Sequence, residues 1–447
     1  DEALAESLVS EELAPAVIVK EKKLEVLDAV EWTLANGAKV VYRHADFEKD
    51  QVQIRGYSKG GSSLYGAEDV PSADMLTQLV SFYGVGEFDA MGLQKMLSGK
   101  NVSLQLSLSS LSEGVNGSAS PKDVETMMQL IYLHFNEPRF DREAHDAIIS
   151  RFLAVVENMN NNPQKVMSDS LNLILTDYHP RTRVINTKYL DDIEYERLEE
   201  IYRDRFADAS DFLFVIVGNM EKEEVKLLVQ KYIGAIADLE RDESWIDRKV
   251  YEPEGKVEKT IPMTLATPKA NVNIVINQEM EFTPYNSMVM RVIENILDLR
   301  YTESIREEEG GTYGVGIGTS LSKEPIEKAR MRIQFDCDPE RAADLKQLVY
   351  TELDKLATEG PSEEDLSKTV ENILKDREQS KEHNSYYLST LLSYCIYGIN
   401  YDDPANYEDI VNSLTPQNVQ DVMKALYDYP NIVDLVFVPE MEEAAVE

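Results

Sequence analysis

The segment richest in usable chemistry is Arg306-Glu307-Glu308-Glu309-Gly310-Gly311-Thr312-Tyr313-Gly314-Val315-Gly316-Ile317-Gly318. Arg306 offers a fixed fork of N–H donors and Tyr313 a phenolic O–H, a combination suited to a peptide carbonyl or a developing oxyanion. Gly310 or Gly311 fits the left-handed residue that ends a helix. From Tyr313 to Ile317 alternate positions open to glycine, so a strand there has one bare face where another backbone or a ligand approaches. Arg306 and Tyr313 are thus candidate catalytic residues, with Gly311, Gly314 and Gly316 as candidate substrate-binding positions. A packing role also accounts for them, since an Arg suits a helix C-terminus and a Tyr fills space beside glycines.

Other chemistries find less support. The five histidines are His44, His134, His145, His179 and His383, and the closest pair is eleven residues apart (145 − 134). None has the three- or four-residue spacing that aims two imidazoles at one metal, so no metal ligand is assigned to this chain. There is no Gly-x-Ser-x-Gly elbow and no Walker-type glycine loop with its Lys. Cys337 and Cys395 form at most one bridge.

The block needs elements to hold it. Thr283 as cap, Pro284 in the first turn and an apolar stripe of Val289, Val292, Ile293, Ile296 and Leu297 predict a helix leading to Arg306. Earlier, Asn36-Gly37 between two alternating runs over 30–42 predicts a hairpin, followed by a strand over 51–57 and a loop at 60–63. Ser72 is a candidate cap for a helix carrying Met75, Leu76, Leu79 and Val80. Residues 102–111 alternate as a strand, 121–135 and 141–152 have helical spacing, and Phe212–Gly218 is a continuous apolar run that predicts a buried strand. A helix over 221–233 and a charged, irregular stretch over 238–257 follow.

Beyond that stretch the pattern returns. Pro121–Tyr132 aligns with Pro339–Tyr350 at a shift of 218 (339 − 121), with Gln129-Leu130-Ile131-Tyr132 facing Gln347-Leu348-Val349-Tyr350. The strand before the second helix is the alternation Ala329, Met331, Ile333, Phe335, paired in this reading with 102–111. A further helix follows, with Ser362 and Asp365 as a capping-box-like pair. The closing runs match at 221 (439 − 218). The chain reads as an internal duplication. Hairpins combined with paired helices predict an α+β fold, each domain a mostly antiparallel or mixed sheet with helices packed on one face. The expected domains are 25–237 and 258–440, with 1–24 and 238–257 as linkers and 441–447 as a tail.

Composition bounds the partners. The 447 residues carry 45 basic against 82 acidic side chains, a formal net charge of −37. That argues against a phosphate-backbone footprint and against docking on anionic lipid. No run approaches the ~20 apolar residues needed to span a bilayer. The first residue is Asp1 and the start lacks the basic and apolar regions of a signal peptide, which suggests a removed leader or a piece of something longer.

The hairpin Leu34–Val41, the run Gln51–Gly61, the closing Phe212–Gly218 and the Arg306…Tyr313 block, in this order, resemble the pitrilysin/insulinase family of zinc peptidases, peptidase family M16. The resemblance runs from about residue 25 to 440 and implies the M16 (LuxS-like metallohydrolase) fold. In the family's catalytic half an inverted His-x-x-Glu-His motif lies on a helix soon after the first strands; here the corresponding helix reads Met75-Leu76-Thr77-Gln78-Leu79. The resemblance is therefore to the non-metal half, in which the family places an Arg and a Tyr seven residues apart, as here (313 − 306). It implies a zinc-dependent endopeptidase whose zinc and His-x-x-Glu-His motif belong to a partner half, fused or separate. It also implies that this chain binds no cofactor, acts on peptides and is inactive alone. Residues 1–24 would connect it to a preceding half. A bacterial envelope or periplasmic setting is implied, with the cytoplasm as alternative. A non-catalytic scaffold of the same fold, and a stand-alone peptide binder using a strand edge, are the competing readings.

Overall fold

The computed structural model describes residues 7–308 and 314–440. Strands β1 (Ile18–Leu24), β2 (Ala29–Leu34), β3 (Lys39–His44), β4 (Val52–Lys59), β5 (Val102–Leu108), β6 (Ser112–Ala119) and β7 (Leu213–Gly218) form one sheet in the order β1-β2-β3-β7-β4-β6-β5. Strands β8 (Lys256–Met263), β9 (Ala270–Glu279), β10 (Gly316–Ser322), β11 (Lys328–Cys337) and β12 (Asn431–Pro439) form the other, ordered β10-β11-β9-β12-β8. Each sheet is antiparallel except for one parallel pair, β3 with β7 and β8 with β12. The fold is α+β with mixed sheets, as the sequence predicts.

Read from opposite ends, β3-β7-β4-β6-β5 and β8-β12-β9-β11-β10 are the same arrangement with the same strand directions. The duplication is therefore topological. It also corrects the sequence alignment at one strand. The partner of β11 is β6, not the run at 102–111: 112 + 218 = 330, inside β11, whereas β5 is the counterpart of β10. Strand β6, Ser-Glu-Gly-Val-Asn-Gly-Ser-Ala, escapes a hydrophobicity reading because its small residues are required by packing. A Cβ on Gly114 would stand 2.2 Å from the Gly56 carbonyl oxygen, and one on Gly117 would stand 2.9 Å from both Ile54 and Leu104 side chains.

The expected hairpin is β2–β3. Gly37 takes φ +89° at its turn, and Asn36 Nδ2 donates to the Ile233 and Ile236 carbonyls at 2.9 and 3.0 Å. Ser72 is not a cap. The helix begins at Val70 with Pro71 in its first turn, and Ser72 Oγ instead accepts from the Glu194 N–H at 3.1 Å. Pro71 fits that place because its missing N–H lies among the donors a helix start leaves unused. Ser362 Oγ does accept from the Asp365 N–H, at 3.1 Å, at the head of the helix Glu363–Ser380.

The chain divides into two compact units, each built from three segments: 1–157, 183–248 and 378–400 in one, and 158–182, 249–377 and 401–447 in the other. Each sheet has its main helical layer on one face. In the first unit the helices Val70–Val80 and Val124–Asn136 share a core with Trp32, Ile54, Val115 and Phe214. In the second, Pro284–Glu308 and Ala342–Glu359 enclose Ile274, Met331, Ile333 and Val436. One further helix lies on the opposite face of each sheet. Asn384–Tyr397 sets Leu388 and Leu391 against Val41, Val215 and Val217 of the first. Pro163–Leu175 sets Met167, Leu171 and Ile174 against Val275, Val433, Leu435 and Phe437 of the second. These two helices are repeat counterparts (384 − 163 = 221). Each belongs to the unit that sequence order would not give it, so continuous boundaries at 237 and 258 do not describe the packing.

Candidate functional site

Arg306 stands in the last turn of the helix Pro284–Glu308 and is exposed. Thr283 caps that helix as expected, its Oγ1 accepting from the Asn286 N–H at 3.0 Å. The predicted stripe of Val289, Val292, Ile293, Ile296 and Leu297 is buried, and Tyr301 and Ile305 carry the anchoring to the turn that bears Arg306. Tyr301 Oη donates to the Val349 carbonyl at 3.1 Å. Tyr313 and Gly311 lie outside the described residues, so the structure brings together Arg306, Gly314 and Gly316 only in part: the two glycines share one cleft, and Arg306 is not among its lining residues.

That cleft, of about 380 Å³, lies on the sheet face carrying the helix Pro163–Leu175. The helix covers β12 and its neighbours and leaves the β10 side open. Gly314 and Gly316 contribute to the floor, joined by Arg332, Gln334 and Asp336 of β11 and Asn271 and Asn273 of β9. Register explains the grouping: Gly316 faces Gln334, Gly318 faces Arg332, Asn273 faces Gln334 and Asn271 faces Asp336. Directly opposed residues share a sheet face. The expected bare face is present, since a Cβ on Gly314 or Gly318 would meet nothing within 4 Å and one on Gly316 would meet Gln334 Cγ at 3.3 Å. Strand β10 is the last in its sheet, held to the helix below by Thr319 Oγ1 donating to Glu294 Oε2 at 2.9 Å.

Arg332, Gln334, Asn271 and Asn273 were not singled out from sequence. The signal for the first two is the polar half of the alternation in β11, Arg330, Arg332, Gln334 and Asp336, set between the apolar residues that predict the strand. The polar half has an internal order. Asn273 Nδ2 donates to Asn271 Oδ1 at 2.6 Å, and Asn271 Nδ2 donates to Asp336 Oδ1 at 2.7 Å.

The residues at the position corresponding to the family's metal motif do not fit zinc. Met75, Leu76 and Leu79 are buried in the apolar core, and Thr77 and Gln78 supply no imidazole. Among the described residues no group of three or more His, Cys, Asp or Glu is arranged to hold a metal. Burial pushes His134 down to about 4, and His145, whose Nδ1 lies 2.5 Å from Tyr83 Oη, is also held below the usual imidazole value by burial. No disulfide joins Cys337 and Cys395. Among the described residues no helix is long and apolar enough to cross a membrane.

Residues 192–373 match the sequence profile described as the Peptidase M16 inactive domain. The zinc protease PQQL-like protein of Arabidopsis thaliana is 24% identical over 413 residues, covering 88% of this chain and 40% of that one. In structure the chain is similar to the periplasmic protease PqqL from Escherichia coli, with a TM-score of 0.83 and 20% identity, covering 98% of this chain and 48% of that one. It is also similar to the peptidase M16 inactive domain from Pseudomonas fluorescens, with a TM-score of 0.74 and 17% identity, covering 94% and 100% of the two chains. The chain thus spans less than half the length of the curated relative, and its fold is that of the M16 peptidases. The resemblance read from the sequence holds.

Proposed function

We propose that this chain, with its M16 fold and its match to the inactive domain of that family, is the substrate-chamber half of a zinc-dependent endopeptidase. The observation that carries the reading is the pairing of a half-length M16 match with a metal-motif position filled by core residues. Zinc and the general base then belong to a His-x-x-Glu-His half, where the bound metal supplies an activated water. The present chain contributes contacts to the peptide. Arg306, fixed by the buried Tyr301 and Ile305 turn, donates to a substrate carbonyl, and the Tyr313 phenol donates to the oxygen that becomes negative in the tetrahedral intermediate. The open glycine strand admits the substrate backbone. The periplasmic setting of the solved relative supports the bacterial envelope as the place of action.

The test restores the catalytic half, fused or co-expressed. With it, Tyr313→Phe lowers kcat by ~10²-fold, the scale of losing one oxyanion donor. An unchanged rate would remove the assigned role and leave the non-catalytic scaffold as the better reading. The chain alone is expected neither to retain stoichiometric zinc in dialysis nor to cleave peptides.

A further inference from the structure

Arg332 is an anomaly of charge. The chain carries 82 carboxylate side chains, yet the exposed Arg332 guanidinium has no ion pair or hydrogen bond with another described residue. Its neighbour on the same face, Arg330, lies 3.8 Å from Glu252, and Lys328 also reaches Glu252. In a protein with a net charge of −37, a cation lining a cleft with no carboxylate partner among the described residues is poised for an anion from outside.

The surroundings narrow what that anion is. Gly318 stands directly across from Arg332 and Gly316 across from Gln334, so at these two positions no side chain from β10 rises between β11 and the edge of the sheet. Strands are spaced about 4.8 Å apart, so a peptide lying beside β10 is about 10 Å from β11. A long Arg and an Asp or Glu side chain can meet across that span only where the strand between them is bare. Gln334 adds neutral donors, and Met167, Leu171 and Phe437 form an apolar wall that lowers the local dielectric. Asp336 is the opposing charge in the cleft, four residues along the strand from Arg332, and its Oδ1 is already engaged by Asn271.

We propose that the β10–β11 cleft is a side-chain subsite for an acidic residue of the peptide, with Arg332 as its specificity-determining group; this rests on the peptide-handling reading above. The probe is a fluorescein-labelled nonapeptide with one central Glu, compared with its Gln counterpart, titrated against the full chain at low salt by fluorescence anisotropy. The Glu peptide binds ~10-fold more tightly, as expected for a charge-assisted contact, and added salt weakens that preference. Arg332→Gln abolishes the preference while leaving the Gln peptide's affinity unchanged. Gly318→Asp, whose Cβ meets nothing within 4 Å, places an internal carboxylate opposite Arg332 and has the same effect with an unchanged melting temperature. Equal binding of the two peptides, a preference that survives Arg332→Gln, or no binding of either peptide overturns the subsite. The Tyr313→Phe kinetics decide the broader reading independently.

Discussion

At the scale of single residues, His134 shows how burial sets a titration. Its ring is in the Val124–Asn136 helix, its Nδ1 3.5 Å from the Oη of the fully buried Tyr202, which donates to the His134 carbonyl at 2.6 Å. Burial alone pushes the imidazole down to about 4, and among the described residues no carboxylate offsets it. In the unfolded chain the same group protonates near 6.5. Between those values the unfolded state binds more protons, so stability falls as pH drops from about 6.5 toward 4. The loss is about 1–3 kcal/mol, allowing for the ring's partial exposure. Urea unfolding at pH 7.5 and pH 5 checks this, and His134→Gln is expected to flatten that part of the slope. Sequence alone marked His134 as a lone, non-metal histidine; its depressed value comes from burial, which only the folded chain provides.

At the scale of elements, the helix Asn384–Tyr397 illustrates packing that periodicity does not assign. Leu388 and Leu391, spaced i and i+3, are buried on the β3–β7 face with Val41, Val215 and Val217. Its counterpart Pro163–Leu175 presents Leu171 and Ile174 with the same spacing to β12 and β9. Leu391→Ala is expected to cost about 2–4 kcal/mol through lost burial and the cavity left behind, read as a lower urea midpoint with an unchanged slope. An exposed position on the same helix such as Tyr394, which is 36% exposed, should cost much less. The hairpin at Asn36-Gly37 and the helix from Pro284 were legible because turn chemistry and apolar spacing are local. Strand β6 was not legible, because its glycines answer to β4 and β5 on either side rather than to any periodic pattern.

At the scale of the whole molecule, the duplication and the three-segment units have a direct consequence. Cutting within 238–257 yields two fragments of nearly domain size, but each lacks the helix that covers the second face of its own sheet. The fragment 1–237 leaves Val41, Val215 and Val217 without Leu388 and Leu391, and carries Met167, Leu171 and Ile174 without their sheet. An exposed apolar face of this kind promotes association. Each fragment alone is expected to aggregate or bind a hydrophobic dye, and co-expression of both to restore cooperative unfolding. Independent, reversible folding of 1–237 would contradict the exchange of helices.

The sequence by itself determined the two-fold repeat, the α+β class, the glycine-rich strand and the helix that carries Arg306 in its last turn. The repeat follows from the recurrence of one pattern 218 residues further on, and the rest from turn residues, capping and apolar spacing within a few tens of residues. The tertiary structure alone decided which helix covers which sheet, placed β6 as the true counterpart of β11, and brought Gly316, Arg332 and Asn273 onto one floor. Those facts depend on pairings between β9, β10 and β11 and on helices returning from the other half of the chain, and local periodicity carries no record of which distant segment supplies the partner.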